Sequence, residues 1–208
     1  SASYGTAFKA PTFNDLYYPG FSNPDLRAET ARSGELALRY ASDAVGAGVV
    51  AYRNRVRDLI VFECDADFNC APQNVAAATL QGITLDARLH RGATSLTASV
   101  DLQRPQDDAS GLLLPRRARR HAALVVAHPF GPVRVSAELA ASAARFDDAA
   151  NTRRMGGYAL LNLLAEWPFG TRWTAFARLN NALDKHYELA ADYRTAGANL
   201  FAGLRWRY

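Results

Sequence analysis

Lysine is almost missing from this chain. Of its 24 basic residues only Lys9 and Lys185 are lysines, so the net charge of +4 is carried by arginine. Long runs of one sign are also missing, because acids and bases alternate along the sequence. Such a balance could mean nucleic acid, but it also suits a surface that meets lipid phosphates. No apolar stretch approaches the roughly 20 residues that a membrane-spanning helix needs. A signal-peptide pattern is lacking too. Hydrophobic residues nevertheless make up 49% of the chain, which excludes a disordered polypeptide. The first residues, Ser1-Ala2-Ser3-Tyr4-Gly5, read as strand from the outset. We therefore expect further chain on the N-terminal side. Cysteine is limited to Cys64 and Cys70, in the turn-like stretch Cys64-Asp65-Ala66-Asp67-Phe68-Asn69-Cys70. The spacing is not a zinc pattern and no histidine is close by. A short-loop disulfide in an oxidising compartment is expected, with two free loop thiols as the alternative.

What is present is alternation with a period of two. Leu36, Leu38 and Tyr40 alternate with Glu35, Arg39 and small residues. Ile83, Leu85, Ala87 and Leu89 alternate with Thr84, Asp86, Arg88 and His90. The same holds for Leu96 to Leu102, for Val133 to Leu139, and for Leu200, Ala202, Leu204, Trp206 and Tyr208. A soluble sandwich alternates as well, so two further features decide. The strands run to about ten residues or more, against roughly 5–6 in soluble sheets. The connections alternate between short turns, near residues 42–43, 90–92, 130–132 and 169–170, and longer loops near 9–30, 64–74, 104–114, 147–154 and 183–196. Tight turns at one end and long loops at the other are the layout of an outer-membrane barrel, with the long loops outside the cell. The expected fold is all-β: an antiparallel transmembrane β-barrel, of which residues 1–208 supply about ten strands as its C-terminal portion. A polar row of Asp86, Arg88, Asn162, Glu166, Arg178, Arg205 and Arg207 is expected to line the bore. Aromatics near strand ends, densest at Trp167, Phe169 and Trp173, suit an interfacial girdle.

Several motifs carry a resemblance to a known family. Ser3-Tyr4-Gly5-Thr6-Ala7-Phe8-Lys9-Ala10-Pro11 is followed by Asn23-Pro24-Asp25-Leu26-Arg27-Ala28-Glu29 and Tyr52-Arg53-Asn54-Arg55. Near the end stands Asn180-Asn181-Ala182-Leu183-Asp184-Lys185-His186-Tyr187. Taken in order, these resemble the TonB-dependent receptors of the Gram-negative outer membrane, with Ala28 where that family usually has proline. The resemblance implies a barrel of about twenty-two strands around an N-terminal plug. The plug and the N-terminal strands would lie outside this chain, and the TonB system would act through that plug. It implies a transport receptor and not an enzyme. The terminal Trp206 and Tyr208 resemble the carboxyl-terminal signal read by the barrel-assembly machinery.

Within the family, Leu114-Pro115-Arg116-Arg117, Arg145-Phe146-Asp147, Met155-Gly156-Gly157 and Tyr193-Arg194-Thr195 are most similar to receptors for cobalamin. That likeness implies a cobalamin contact at Arg116, which as a charge-assisted donor suits a ligand with amides and a phosphate. An arginine paired with a barrel carboxylate is the other reading of Arg116. No cofactor is expected in this chain; the calcium that the likeness implies for a full receptor would be held by loops outside it. A ferric-siderophore or haem receptor fits the general motifs equally, although His90, His121, His128 and His186 show no paired ligand spacing. A barrel hydrolase would need Asp107-Asp108 or Asp147-Asp148 as paired carboxylates with His121 as base, and no nucleophile is placed for it. The cluster Arg116, Arg117, Arg119, Arg120 and His121 lacks interleaved aromatics, which disfavours nucleic acid. Lipopolysaccharide phosphates or a solvated rim explain the cluster better, and lipopolysaccharide and outer-membrane lipid are expected partners of the chain.

Overall fold

The computed structural model describes residues 1–64 and 69–207. Asp65–Phe68, between the two cysteines, and the terminal Tyr208 lie outside the described residues. The elements in chain order are β1 (Ala2–Lys9), α1 (Phe13–Tyr17), β2 (Glu29–Ala41), β3 (Val45–Cys64), β4 (Cys70–Arg91), β5 (Thr94–Asp107), β6 (Arg120–Phe130) and β7 (Val133–Ser142). There follow β8 (Arg145–Phe146), β9 (Arg154–Met155), β10 (Tyr158–Phe169), β11 (Trp173–Asn180), β12 (Glu188–Ala190), β13 (Tyr193–Arg194) and β14 (Asn199–Trp206). Ten of the strands form one sheet in the order β1-β2-β3-β4-β5-β6-β7-β10-β11-β14. The pairs β1–β2, β5–β6, β6–β7, β7–β10, β10–β11 and β11–β14 are antiparallel. Strands β1 and β14 each have one neighbour, so the sheet is not closed within this chain. β8 pairs with β9 and β12 with β13 as separate two-stranded hairpins.

Apolar and polar residues divide between the two faces as the alternation predicts. Leu36, Leu38, Tyr40, Ile83, Leu85, Leu200 and Leu204 are all exposed, Leu36 at 65% and Leu204 at 64%. Fully burying one such side chain is worth about 1.5–3 kcal/mol. Leaving seven of them in water would forgo on the order of 10 kcal/mol, as much as a whole domain's net stability. Among the described residues the buried apolar ones are few and mostly small, among them Ala78, Ala118, Ala127 and Ala191. A strand face this rich in leucine with so little core behind it is built for hydrocarbon.

The chain divides into two compact units. The first comprises Ser1–Ala37, Ala51–Gly82 and Gln103–Leu114; the second comprises Leu38–Val50, Ile83–Leu102 and Pro115–Tyr208. The tight turns all belong to the second. Gly92, Gly131 and Gly170 sit there at φ of 58°, 58° and 65°, a conformation that costs a Cβ-bearing residue but not glycine. Beside these turns the apolar face carries a chain of rings. Trp167 to Phe169 is 5.7 Å between centroids, Phe169 to Trp173 is 6.5 Å and Trp173 to Trp206 is 6.4 Å. Rings placed where the apolar band ends suit the headgroup level, where an amphipathic indole is most stable.

On the opposite face of the second unit, the polar row finds partners. Asn162 donates to Glu138 at 3.3 Å, and Arg178 reaches the same carboxylate at 3.4 Å. Arg205 pairs with Glu166 at 3.4 Å, and Thr84 donates to Asp101 at 2.8 Å. Asp86 and Arg88 crowd against Gly48 and Gly46, where any Cβ would collide with them.

The loops differ from the sequence expectation in three ways. Residues 70–74 belong to β4, not to a loop, and β5 continues to Asp107. The segments near 147–154 and 183–196 contain the hairpins β8–β9 and β12–β13. The segment 9–30 contains α1, which a capping box starts: Thr12 accepts from the Asp15 backbone while Asp15 accepts from that of Thr12. The Thr12 hydroxyl and the Thr12 backbone N–H, both donating to the carboxylate, hold the Asp15 carboxyl below its ordinary pKa.

Candidate functional site

In the first unit the Asn-Pro segment acts as a latch. Asn23 donates to the Pro72 carbonyl at 3.1 Å. Asn74 accepts from the Arg27 backbone at 2.8 Å, then donates back to the Arg27 carbonyl and to that of Asp58 at 2.6 Å. Arg27 closes the arrangement on the Asp58 carboxylate at 2.6 Å, and Glu29 accepts from the Ile60 backbone at 2.9 Å. Cys64 and Cys70 are joined by a disulfide in the same unit. Asn74 is the residue that sequence reading missed. Its only signal was a polar residue in what looked like a turn.

The second unit holds the residues with ligand-binding chemistry, gathered where β6, β7, β10 and β11 give way to the longer connections. Arg116 is there, at a φ of 59°. Its backbone donates to the Phe146 carbonyl at 2.6 Å, and its Nε donates to Asp147 Oδ1 at 2.7 Å. Asp147 is 13% exposed in its side chain, while Arg116 remains 56% exposed. The Ala191 backbone also donates to Asp147 Oδ1, at 3.2 Å. The Arg116 hydrogen bond outweighs the burial that opposes it and holds the Asp147 carboxyl below its ordinary range. Arg116 thus ties the segment after β5 to the β8–β9 hairpin, with the β12–β13 hairpin held through Ala191. Of the two readings of Arg116, the geometry displays the ion pair, with a loop carboxylate as partner and more than half the guanidinium side chain still accessible.

Asp148 closes the β8–β9 turn. It accepts from the backbones of Arg153 at 2.7 Å and Thr152 at 3.0 Å, and these bonds depress its pKa to about 2. Arg153 pairs with Asp192 at 2.6 Å, which raises its own pKa. Arg145 is 4% exposed and donates to the Glu188 carbonyl at 2.5 Å. Its guanidinium lies 5.4 Å from the centroid of Tyr158, which packs against Tyr187 at 4.4 Å. Asn181, also 4% exposed, is the hinge of the near-terminal box. Its Oδ1 accepts from the Lys185 backbone at 2.8 Å and its Nδ2 donates to the Lys185 carbonyl at 3.0 Å. Asp184 accepts from the Ala198 backbone at 2.8 Å, and Gly197 lies too close to that carboxylate to carry a side chain.

These braced segments enclose a cleft of about 740 Å³ lined by Arg153 to Gly157, Lys185 to Glu188, Ala191, Arg194, Thr195 and Gly197. Volumes of roughly 300–1,000 Å³ are usual for sites that take small molecules. The paired carboxylates of the hydrolase reading are occupied elsewhere. Asp107 Oδ1 accepts from Ala109, Ser110 and the Ser110 hydroxyl. Asp108 faces Arg55 and Thr79. His121 sits on β6 in register with Asp101 and Ser142. Among the described residues no three of His, Cys, Asp and Glu gather to hold an ion. Trp206 joins the aromatic chain at the tight-turn end.

The family model "TonB dependent receptor-like, beta-barrel" matches residues 1–182. Among curated proteins, the vitamin B12 transporter BtuB of Vibrio vulnificus is 33% identical over all of this chain and 34% of its own length. The vitamin B12 transporter BtuB of Photobacterium profundum is 28% identical, over all of this chain and 35% of its own. The chain therefore spans about a third of the length of the curated relatives it matches. Among solved structures, the copper transporter OprC superposes with a TM-score of 0.81 at 16% identity, covering 99% of this chain and 37% of that one. The ferric yersiniabactin uptake receptor FyuA from Yersinia pestis gives 0.76 at 18%, covering 98% and 32%.

Proposed function

Since the chain belongs to the TonB-dependent receptor family, whose β-barrels lie in the bacterial outer membrane, we propose that it forms the C-terminal part of a barrel that captures cobalamin for TonB-driven uptake. The observation that carries the substrate is the 33% identity to a vitamin B12 transporter along the entire chain. Likeness to the copper and siderophore receptors lies below 20% identity and concerns the fold. In this reading residues 1–208 are one portion of a longer chain. Its earlier strands complete the sheet at β1 and β14, and its plug receives the pull of TonB.

The geometry supports a capture role for the loop cluster. Asp147, Asp148, Asn181 and Arg145 spend their polar groups on backbone and neighbouring side chains, so the segments after β7 and β11 are stiffened before ligand arrives. A preordered site loses less entropy on binding. Arg116 keeps accessible surface beside that cluster and serves as a hydrogen-bond donor to the corrin periphery. Trp206 and Tyr208 serve as the assembly signal, and lipopolysaccharide contacts the exposed arginines at 117, 119 and 120.

The full-length receptor, expressed in a strain lacking its own cobalamin receptor, tests this. Growth on limiting cobalamin, lost when TonB is deleted, is expected. Rescue by a ferric chelate, with none by cobalamin, would replace cobalamin with an iron substrate.

A further inference from the structure

The cleft in the second unit has a charge distribution that the ion pairs do not account for. Arg153 is neutralised by Asp192. Arg154, Lys185 and Arg194 form no ion pair among the described residues, yet all three line the same concavity. Its one lining carboxylate, Glu188, accepts from the Asp192 backbone at 3.3 Å. Glu188 stands across from Arg194 in the β12–β13 register without reaching it as a salt bridge.

Each cation is delivered by a different braced segment. Arg154 sits opposite Phe146 in the β8–β9 ladder. Lys185 is fixed through both its backbone groups by Asn181. Arg194 belongs to β13, and the next residue, Thr195, is tied by its hydroxyl to the Tyr187 carbonyl at 2.7 Å. Three like charges held around one cavity repel one another, and the repulsion is relieved when an anion sits between them. Arginine contributes planar, paired donors to oxyanions, and lysine contributes a point charge.

We propose that this cleft is an anion pocket that takes the phosphate of the captured solute, so that the phosphate is read by Arg154, Lys185 and Arg194 and not by Arg116, whose Nε is engaged by Asp147. The assignment rests on the cobalamin reading above and deepens it, since cobalamin carries a phosphodiester in its nucleotide arm.

Titration calorimetry on the purified full-length receptor tests it with two probes: cyanocobalamin, and dicyanocobinamide, which lacks the nucleotide arm and its phosphate. The triple variant R154Q/K185M/R194Q is expected to bind cyanocobalamin at least about tenfold more weakly, from lost charge-assisted bonds, with dicyanocobinamide affinity unchanged. Each single variant should show a smaller loss of the same selectivity, which covers the case in which the triple variant does not assemble. Unchanged cyanocobalamin affinity, or an equal loss for both corrins, overturns the pocket. If the wild-type receptor binds neither corrin, the cobalamin reading fails. The pocket is then judged with inorganic pyrophosphate: saturable binding lost in the variants upholds it, and no binding overturns it. If the variants instead lose co-purifying lipopolysaccharide while corrin affinities stand, the phosphate is the lipid's and the solute assignment is overturned.

Discussion

Arg116 and Asp147 sit 31 residues apart in sequence, and their contact sets the shape of the loop cluster. The likeness to cobalamin receptors picked out Arg116, and Asp147 entered sequence reading both in the Arg145-Phe146-Asp147 motif of that likeness and as half of a paired-carboxylate candidate. Nothing local signals that the two meet, because a loop-to-loop ion pair depends on where β6, β7 and the hairpin place their ends. Arg116→Ala should loosen that clasp. An ion pair with one half-exposed partner is worth about 1 kcal/mol after solvent screening. The expected readout is faster hydrogen exchange at the Ala191 and Arg116 amides, with β10 and β11 unaffected. Asp148 supplies a pH prediction. Its folded pKa, about 2, lies below the ordinary 3.8, so its stabilising effect is complete above 3.8 and is lost as pH falls from there toward 2. Amide protection at Thr152 and Arg153 should therefore persist at pH 5 and disappear across that window. In Asp148→Asn the protection should be weak at both ends.

At the scale of elements, the alternation was the legible signal. Where a strand crosses hydrocarbon, each second residue must be apolar, and Ile83, Leu85 and Leu89 in β4 obey that demand while Thr84 and Asp86 face the other way. The opening of β4 was not legible for the same reason. Cys70-Ala71-Pro72-Gln73-Asn74 has turn composition and no apolar period. Strand β4 has 22 residues, whereas a tilted crossing needs about 9–11, so much of it extends beyond the hydrocarbon. There both faces are wet, and side chains such as Asn74 do the joining. Helix α1 has five residues, too few to show a period, and its local mark is the Thr12–Asp15 capping box. A charge placed on the apolar face should be costly. Leu85→Arg is expected to destabilise the full-length receptor in vesicles by roughly 2–4 kcal/mol if it lies near the midplane. Thr97→Arg, on the polar face of β5, should cost far less. Denaturant unfolding in lipid, compared with the parent receptor, measures both.

For the whole molecule, what matters is which solvent each face meets. Exposed leucines in β2, β4 and β14, a ring chain from Trp167 to Trp206 and polar pairs such as Glu138 with Arg178 make sense together when hydrocarbon lies on one side and water on the other. The outer-membrane location that goes with the family agrees with that arrangement. Spin labels on the full-length receptor in bilayers report it directly, since native Cys64 and Cys70 are joined and do not take the label. Labels at Leu36, Leu85 and Leu200 should collide with dissolved oxygen and be shielded from a water-soluble nickel chelate. Labels at Asp86 and Arg205 should show the reverse. If the leucine sites prove accessible to the chelate, or shielded from both reagents as in a packed protein core, the barrel account is contradicted.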